Sequence, residues 1–108
     1  MLDAAEEATS FIEGKTRADL EENRMLTLAL VRSIEIIGEA GANVSGAGRA
    51  ETPKIPWRQI VAMRNRLIHA YFDVNLDILW ETVESDLPPL TSTLRRVLAE
   101  GNTIDRSK

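Results

Sequence analysis

Apolar residues recur along this chain at steps of three and four positions, which is the period of amphipathic helices. The clearest run predicts a long helix that begins at a capping box formed by Thr16 and Asp19 and continues to about Asn43. Its apolar face is made of Leu26, Leu30, Ile34, Ile37 and Gly41. Because Gly38 and Gly41 carry no side chain, we expect a neighbouring helix to approach this one closely near its end.

Other segments flank this helix. A first helix is predicted over residues 1–13 and ends at Gly14. Residues 44–55 contain glycine and proline without any apolar period, so we expect a loop there. A third helix is predicted from Trp57 to about Tyr71, since its apolar residues again recur at helical spacing.

The last part of the chain predicts two more helices. Asn75 is placed to cap a fourth helix, and Ser85–Asp86 to cap a fifth that carries Pro88–Pro89 in its first turn and stops at Gly101. No segment shows the alternating pattern of a strand. The sequence therefore predicts an all-α bundle of four or five helices that forms a single domain over residues 1–108.

Composition limits the chemistry available to the chain. It has no cysteine and a single histidine, His69, which excludes disulfides, cysteine nucleophiles and a metal site built from several histidines of one chain. We therefore expect neither a metal nor another cofactor. The net charge of −4 is unlike that of a basic nucleic-acid-binding protein. No apolar run is long enough to span a membrane and no signal peptide is visible, so we expect a cytoplasmic protein.

Charge is distributed unevenly along the chain. Residues 1–22 contain seven acids and two bases, a net charge of −5, whereas residues 51–72 contain four bases and one acid, a net charge of +3. The basic segment also contains His69. An anionic partner would therefore be attracted to this segment rather than to the molecule as a whole, within a Debye length of about 10 Å.

Arg64 lies on the apolar stripe of the third helix, between Val61 and Ile68. A charge in that position needs a partner, because an unpaired buried charge is strongly unfavourable. At about 100° per residue, Asn65 and His69 lie about 40° apart, but Arg64 and His69 lie about 140° apart. Arg64 and His69 could converge on one ligand if the helix loosens at His69, if the arginine side chain wraps around the helix, or if a second copy of the helix completes the site.

An arginine, an asparagine and a histidine suit the cleavage of RNA without a metal ion. An imidazole with a pKa of about 6.5 can take the proton of a 2′-hydroxyl, whose oxygen then attacks the adjacent phosphorus. A guanidinium stabilises the charge that builds on the phosphate oxygens, and the asparagine can bind the same oxygens or orient the imidazole. On spacing alone, however, an arginine and a histidine on one helix more often form structural salt bridges or hydrogen bonds.

The run Pro56–Phe72 resembles the HepT-like toxins of the HEPN superfamily, which share an Arg-x4-His-x-Tyr motif. In this chain the motif residues are Arg64, His69 and Tyr71. Two further stretches resemble the family in the same order, IIGEA at residues 36–40 and LWETVESDLP at residues 79–88. Since the resemblance covers nearly the whole chain, it outweighs the structural interpretation of the arginine–histidine spacing.

The resemblance implies a HEPN-type homodimer in which the motif helices of two chains face each other across a cleft. It implies a metal-independent endoribonuclease that acts as the toxin of a toxin–antitoxin pair, with Arg64 and His69 catalytic and Asn65 supporting them. The antitoxin would be an MntA-type nucleotidyltransferase that transfers AMP from ATP to Tyr71. The added bulk and negative charge beside the arginines would block RNA. Such a dimer would also explain how residues about 140° apart on one helix serve one site.

Another class of function stays open at this point. The chain could be a non-catalytic subunit that presents substrate to a nucleotidyltransferase, or a helical dimer without any chemistry. Cleavage of RNA that depends on Arg64 and His69 would separate the ribonuclease from both.

Overall fold

The computed structural model describes residues 1–69 and 75–100 of the chain, with the side chains of residues 1–66 and 75–100. Helices make up most of this part, and no β-strand occurs in it. In chain order the helices are α1 (Leu2–Phe11), α2 (Asp19–Glu22), α3 (Arg24–Ala42), α4 (Gly46–Glu51), α5 (Trp57–His69), α6 (Leu76–Glu81) and α7 (Leu87–Ala99), with a π-helical segment at Thr82–Asp86 between the last two. The prediction of an all-α fold is confirmed.

Four long helical units form the bundle: α1, α3, α5 and the continuous unit that runs from α6 to α7. Helix α3 packs against both α1 and α5, and α1 packs against α7. The predicted bundle of four or five helices is therefore confirmed, with α2 and α4 as short additions. None of the described helices is long and apolar enough to cross a membrane.

The core is centred on α3. The apolar face predicted for this helix is buried, and Leu30, Ile34 and Ile37 have no exposed surface. Small buried side chains of α1 pack against it, namely Ala4, Ala5 and Ala8. On the α7 side the core is completed by Leu87, Leu90, Leu94 and Val97. Alanines on α1 let this helix lie close to α3, so that a short chain encloses a continuous core.

The predicted long helix is interrupted at Asn23, which corrects the expectation of one helix from Thr16 to about Asn43. Asn23 has extended backbone angles, φ −120° and ψ 92°, and its side chain accepts a hydrogen bond from the N–H of Leu26 at 3.0 Å. The asparagine thus caps α3 instead of continuing α2, because its side chain competes with the backbone for the first N–H groups. The predicted N-cap at Thr16 is also wrong, because α2 begins at Asp19 after Ala18. Of the predicted capping box, the Asp19 carboxylate does accept from the Thr16 N–H, at 2.6 Å.

The expectation of a loop over residues 44–55 is wrong in part, because α4 occupies its centre. Ser45 caps this helix by accepting from the N–H of Gly48 at 2.9 Å. The Arg49 guanidinium donates to the carbonyl of Gly41 at 2.8 Å and lies 5.9 Å from the ring centroid of Trp57. A single turn held by caps and side-chain contacts needs no apolar period, and so the pattern of hydrophobic residues did not reveal it.

The predicted break between the fourth and fifth helices is absent. Asn75 does cap α6, accepting from the N–H groups of Asp77 and Ile78, but the chain then stays helical through the π-helical segment into α7. The side chain of Asp86 makes no capping hydrogen bond. Proline lacks an N–H and its ring crowds the carbonyl of the preceding turn, so the wider π turn accommodates Pro88 and Pro89 without ending the helix. Gly101 lies outside the described residues.

Candidate active site

Of the predicted site residues, Arg64, Asn65 and His69 lie on α5, which packs antiparallel against α3. Gly38 of α3 faces Arg64 in the second half of α5, whereas Gly41, further along α3, faces Trp57 and Ile60 in the first half of α5. The predicted helix beginning at Trp57 is confirmed as far as His69. Its predicted extension to Tyr71 lies outside the described residues.

The two helices come closest at Gly38. A Cβ atom on Gly38 would overlap the Cβ and Cδ atoms of Arg64 and lie 2.6 Å from its Cγ, and one on Gly41 would lie 2.9 Å from Cγ2 of Ile60. Since the Cβ of Arg64 is attached directly to the backbone, a change of rotamer cannot remove the overlap. The predicted close approach is confirmed, and the structure adds that the residue filling the space above Gly38 is Arg64.

Nothing in the sequence pairs these two residues, because they lie 26 positions apart on different helices. The contact could have been suspected because both residues are unusual for their positions. A glycine on the buried face of a helix leaves space for a neighbouring residue, and an arginine on an apolar stripe needs a surface to pack against. From the sequence, Gly38 was predicted only to allow close packing of helices. The structure makes it part of the candidate site as well.

The guanidinium of Arg64 is left without a partner. Arg64 is half-buried, and its Nε atom is buried and makes no hydrogen bond. None of the ion pairs among the described residues includes Arg64. Removing a charge from water without pairing it is unfavourable, so this position keeps a cation where an added anion, such as a phosphate, would supply the missing partner.

The rest of α5 is also positively charged. The helix contains Arg58, Arg64 and Arg66 and no acidic residue. Asn65, next to Arg64, is exposed, as are Arg58 and Arg66. In the part of the chain that the structure describes, none of the three arginines forms an ion pair. The positive charge of this segment is therefore not neutralised by the acidic beginning of the chain.

Two acidic residues of the first two helices form ion pairs away from α5. Glu6 pairs with Arg95 of α7, and Glu21 lies 3.4 Å from Arg17. Among the side chains of residues 1–66 and 75–100, no three aspartate, glutamate, cysteine or histidine groups lie close enough together to hold one metal ion. No ion pair in the described part of the chain therefore joins an acid to an arginine of α5.

His69 is the last residue of α5, and its side chain and Tyr71 lie outside the described part. The backbone is α-helical from Trp57 to His69, which preserves the separation of about 140° between positions 64 and 69. Because the helix does not loosen before His69, two of the three ways for Arg64 and His69 to meet one ligand remain. Either the arginine side chain wraps around the helix, or a second copy of the helix completes the site. The roles of Arg64, Asn65, His69 and Tyr71 stay predictions.

The fold and the arginine-bearing helix agree with a known family. Residues 1–97 match the model of the family described as Ribonuclease HepT-like. The chain therefore belongs to the HepT-like ribonuclease family, as its motif predicts.

Its relatives carry ribonuclease names. The chain is 41% identical over 87 residues to a protein of Caldanaerobacter subterraneus subsp. tengcongensis that is named as a candidate RNase, which covers 81% of this chain and 78% of that protein. It is 38% identical over 100 residues, 89% of this chain and 91% of the other, to the "Probable ribonuclease HepT" of Thermococcus cleftensis. A candidate RNase of Methanocaldococcus jannaschii is 37% identical over 93 residues, 83% of this chain and 85% of that protein. No solved structure matches the chain significantly.

The contact at Gly38 predicts that its replacement by alanine destabilises the fold. Gly38→Ala should lower the free energy of unfolding by about 1–3 kcal/mol, because the new methyl group must push α3 and α5 apart. Gly46→Ala is the matched control, since a Cβ at Gly46 of α4 would meet no atom within 4 Å, and should leave stability unchanged or raise it slightly. Urea denaturation at one protein concentration measures both. Equal stability of the two variants would contradict the packing described here.

Proposed function

We propose that this chain is the toxin of a toxin–antitoxin pair and cleaves RNA internally without a metal ion. Arg64 and His69 are the catalytic residues, and Asn65 supports them. The observation that carries the proposal is Arg64, whose stem is seated against Gly38 while its charge has no partner in the described part of the chain. Membership of the HepT-like ribonuclease family supports the activity, and the resemblance of the motif supports the toxin role.

The reaction needs only a base, an acid and a cation. The imidazole of His69 takes the proton of a ribose 2′-hydroxyl, and the 2′-oxygen attacks the adjacent phosphorus. The bond from phosphorus to the 5′-oxygen breaks, and that oxygen receives a proton from the imidazolium. The products are a 2′,3′-cyclic phosphate and a 5′-hydroxyl. Arg64 stabilises the additional negative charge of the pentavalent phosphorus, and Asn65 donates a hydrogen bond to the phosphate or the imidazole.

A homodimer would complete the site, with Arg64 of one chain and His69 of the second copy acting on one phosphate. The helical separation of about 140° between these positions supports a shared site. Apolar residues also remain in solvent on α3, where Met25 is 83% and Leu28 51% exposed. The antiparallel register places Leu28 on the same side of the α3–α5 pair as Val61, which is half-buried. Apolar exposure on this side of the pair favours its burial against a second copy.

The antitoxin is an MntA-type nucleotidyltransferase that adds AMP to Tyr71. This residue lies two positions beyond His69. A phosphate linked to Tyr71 would bring negative charge to the arginines of α5 and occupy the place of an RNA phosphate. The unpaired arginines of α5 support this inhibition, because the partner they lack is an anion.

Substitution of Arg64 separates a catalytic from a structural role. Arg64→Met keeps the long side chain above Gly38 but removes an unpaired, half-buried charge, so it should leave stability equal or higher. It should lower RNA cleavage by about 100-fold or more, since it removes the cation that stabilises the transition state. His69→Ala should abolish cleavage. The measurements are thermal unfolding, cleavage of labelled RNA and growth arrest on expression.

The control is Arg96→Gln, which removes an exposed charge on α7 far along the chain from the motif and should cleave RNA like the wild type. If wild-type protein that carries no AMP cleaves no RNA, the chain is instead a non-catalytic partner of a nucleotidyltransferase. Loss of stability together with activity in Arg64→Met would indicate a structural arginine.

Heterodimers test whether two chains share one site. Two affinity tags allow purification of a dimer in which one chain carries Arg64→Met and the other His69→Ala. In a shared site this heterodimer keeps one complete arginine–histidine pair and about half of the wild-type rate. A heterodimer of one wild-type chain and one chain with both substitutions should be inactive. The reverse pattern would show that each chain holds its own pair.

Modification of Tyr71 has a direct readout in the intact mass. Incubation with the cognate nucleotidyltransferase and ATP should add AMP to the wild-type chain and abolish its RNA cleavage. Tyr71→Phe should gain no mass and stay active in the presence of the nucleotidyltransferase, because phenylalanine has no hydroxyl to accept the phosphate. Inhibition of Tyr71→Phe equal to that of the wild type would mean that the nucleotidyltransferase acts by binding instead.

A further inference from the structure

A groove of about 530 Å³ runs along the side of α5 that faces away from Arg64. Its opposite wall is the end of the π-helical segment and the beginning of α7. We name it the α5–α7 groove. Its size lies within the range of small-molecule sites, about 300–1,000 Å³.

The floor of the α5–α7 groove is apolar. It is formed by Ile60, Met63 and Leu90, each at most 9% exposed, with the rings of Pro56 and Pro89 beside them. The thioether of methionine is polarisable and the ring of proline is rigid. Both can pack against a planar ring without forming hydrogen bonds. The floor therefore suits a flat, largely apolar group such as a nucleobase.

The rim of the groove is polar and carries free charge. Arg66 and Gln59 stand on α5, and Asp86 stands across from them at the end of the π-helical segment. In the described part of the chain neither Arg66 nor Asp86 forms an ion pair, whereas Lys54 lies 3.9 Å from Glu100. A cation and an acceptor on opposite rims fit a ligand that is anionic at one end and has hydrogen-bond donors at the other.

The groove leads to the catalytic end of α5. Gln59, Ala62 and Arg66 follow one another at helical spacing along it. Position 69 lies one helical turn beyond Arg66, about 4.5 Å along the axis and about 60° around it. If the end of α5 holds one phosphate of an RNA strand, a neighbouring nucleotide of that strand would therefore lie at the mouth of the groove.

On these grounds we infer that the α5–α7 groove binds the base of a nucleotide next to the cut in single-stranded RNA. Arg66 holds the phosphate of that nucleotide, the base lies on Met63, and Asp86 accepts from an amino group on the base edge. Gln59 completes the contact from α5. This inference rests on the proposed ribonuclease function and adds a choice of sequence, which Arg64 and His69 alone would not make, because they contact only the backbone of the RNA.

The charge of the groove favours RNA over an acidic or an apolar peptide. Of the three arginines of α5, Arg66 lines the groove together with Lys54, and α5 contains no acidic residue that would repel a polyanion. Asp86 is the single carboxylate of the lining and can accept a hydrogen bond, which distinguishes cytosine, adenine and guanine, with their amino groups, from uracil. The π-helical segment brings Asp86 to the rim, and π turns often occur where a helix serves a ligand.

Base preference at the cut tests the inference. Cleavage sites of the active protein are mapped on an RNA that contains every dinucleotide, and Asp86→Asn should change the preferred base beside the cut by about tenfold. Arg66→Gln should raise KM about fivefold with little change in kcat, since it loses one phosphate contact. Glu84→Gln, an exposed residue of the same π-helical segment that does not line the groove, and Arg96→Gln are the controls and should match the wild type.

The outcomes keep this inference apart from the proposed function. If the wild type cleaves RNA but Asp86→Asn and Arg66→Gln leave preference and KM unchanged, the groove inference is wrong and the ribonuclease stands. If the wild type cleaves no RNA, fluorescence anisotropy with short labelled oligonucleotides of C, A and U decides. Weaker binding by Arg66→Gln and a base preference altered by Asp86→Asn support the groove, and equal binding by all variants overturns it. Circular dichroism spectra equal to that of the wild type would show that a variant has not lost binding or activity through unfolding.

Discussion

Helices α3 and α5 meet at a glycine, and most of what is specific to this protein depends on that contact. Gly38 leaves no room for a side chain, so the stem of Arg64 lies directly on the backbone of α3. The same contact sets the distance and register of α5 against the buried core of α3. One side of α5 then carries Arg64 next to α3, while the other side faces the α5–α7 groove. A shift of α5 would change both sides together.

The electrostatics of the molecule follow from where charges find partners. The chain is acidic overall, with a net charge of −4, and two acids near its beginning, Glu6 and Glu21, form ion pairs with Arg95 and Arg17. The arginines of α5 have no such partners in the described residues. Screening limits the reach of the total charge to about 10 Å, and therefore the local field at α5 can attract phosphate even though the molecule is acidic.

Sequence patterns predicted the long helices well and their interruptions poorly. The apolar face of α3 and the cap at Asn75 were predicted because each depends on neighbours in the chain. The break at Asn23 and the passage from α6 into α7 were mispredicted for one reason: short polar residues and prolines can end a helix or be accommodated in it. The choice between these outcomes depends on packing against other helices, which local propensity does not contain.

The sequence by itself determined the helical class, the arginine–histidine–tyrosine motif, the family and the concentration of positive charge in one segment. All of these are properties of neighbouring residues, for which spacing along the chain is sufficient information. Only the tertiary structure decided that Arg64 rests on Gly38 with its Nε buried and unpartnered, and that Arg66 and Asp86 line one groove from different helical segments. These contacts join residues of different helices, and their geometry depends on how closely the helices pack.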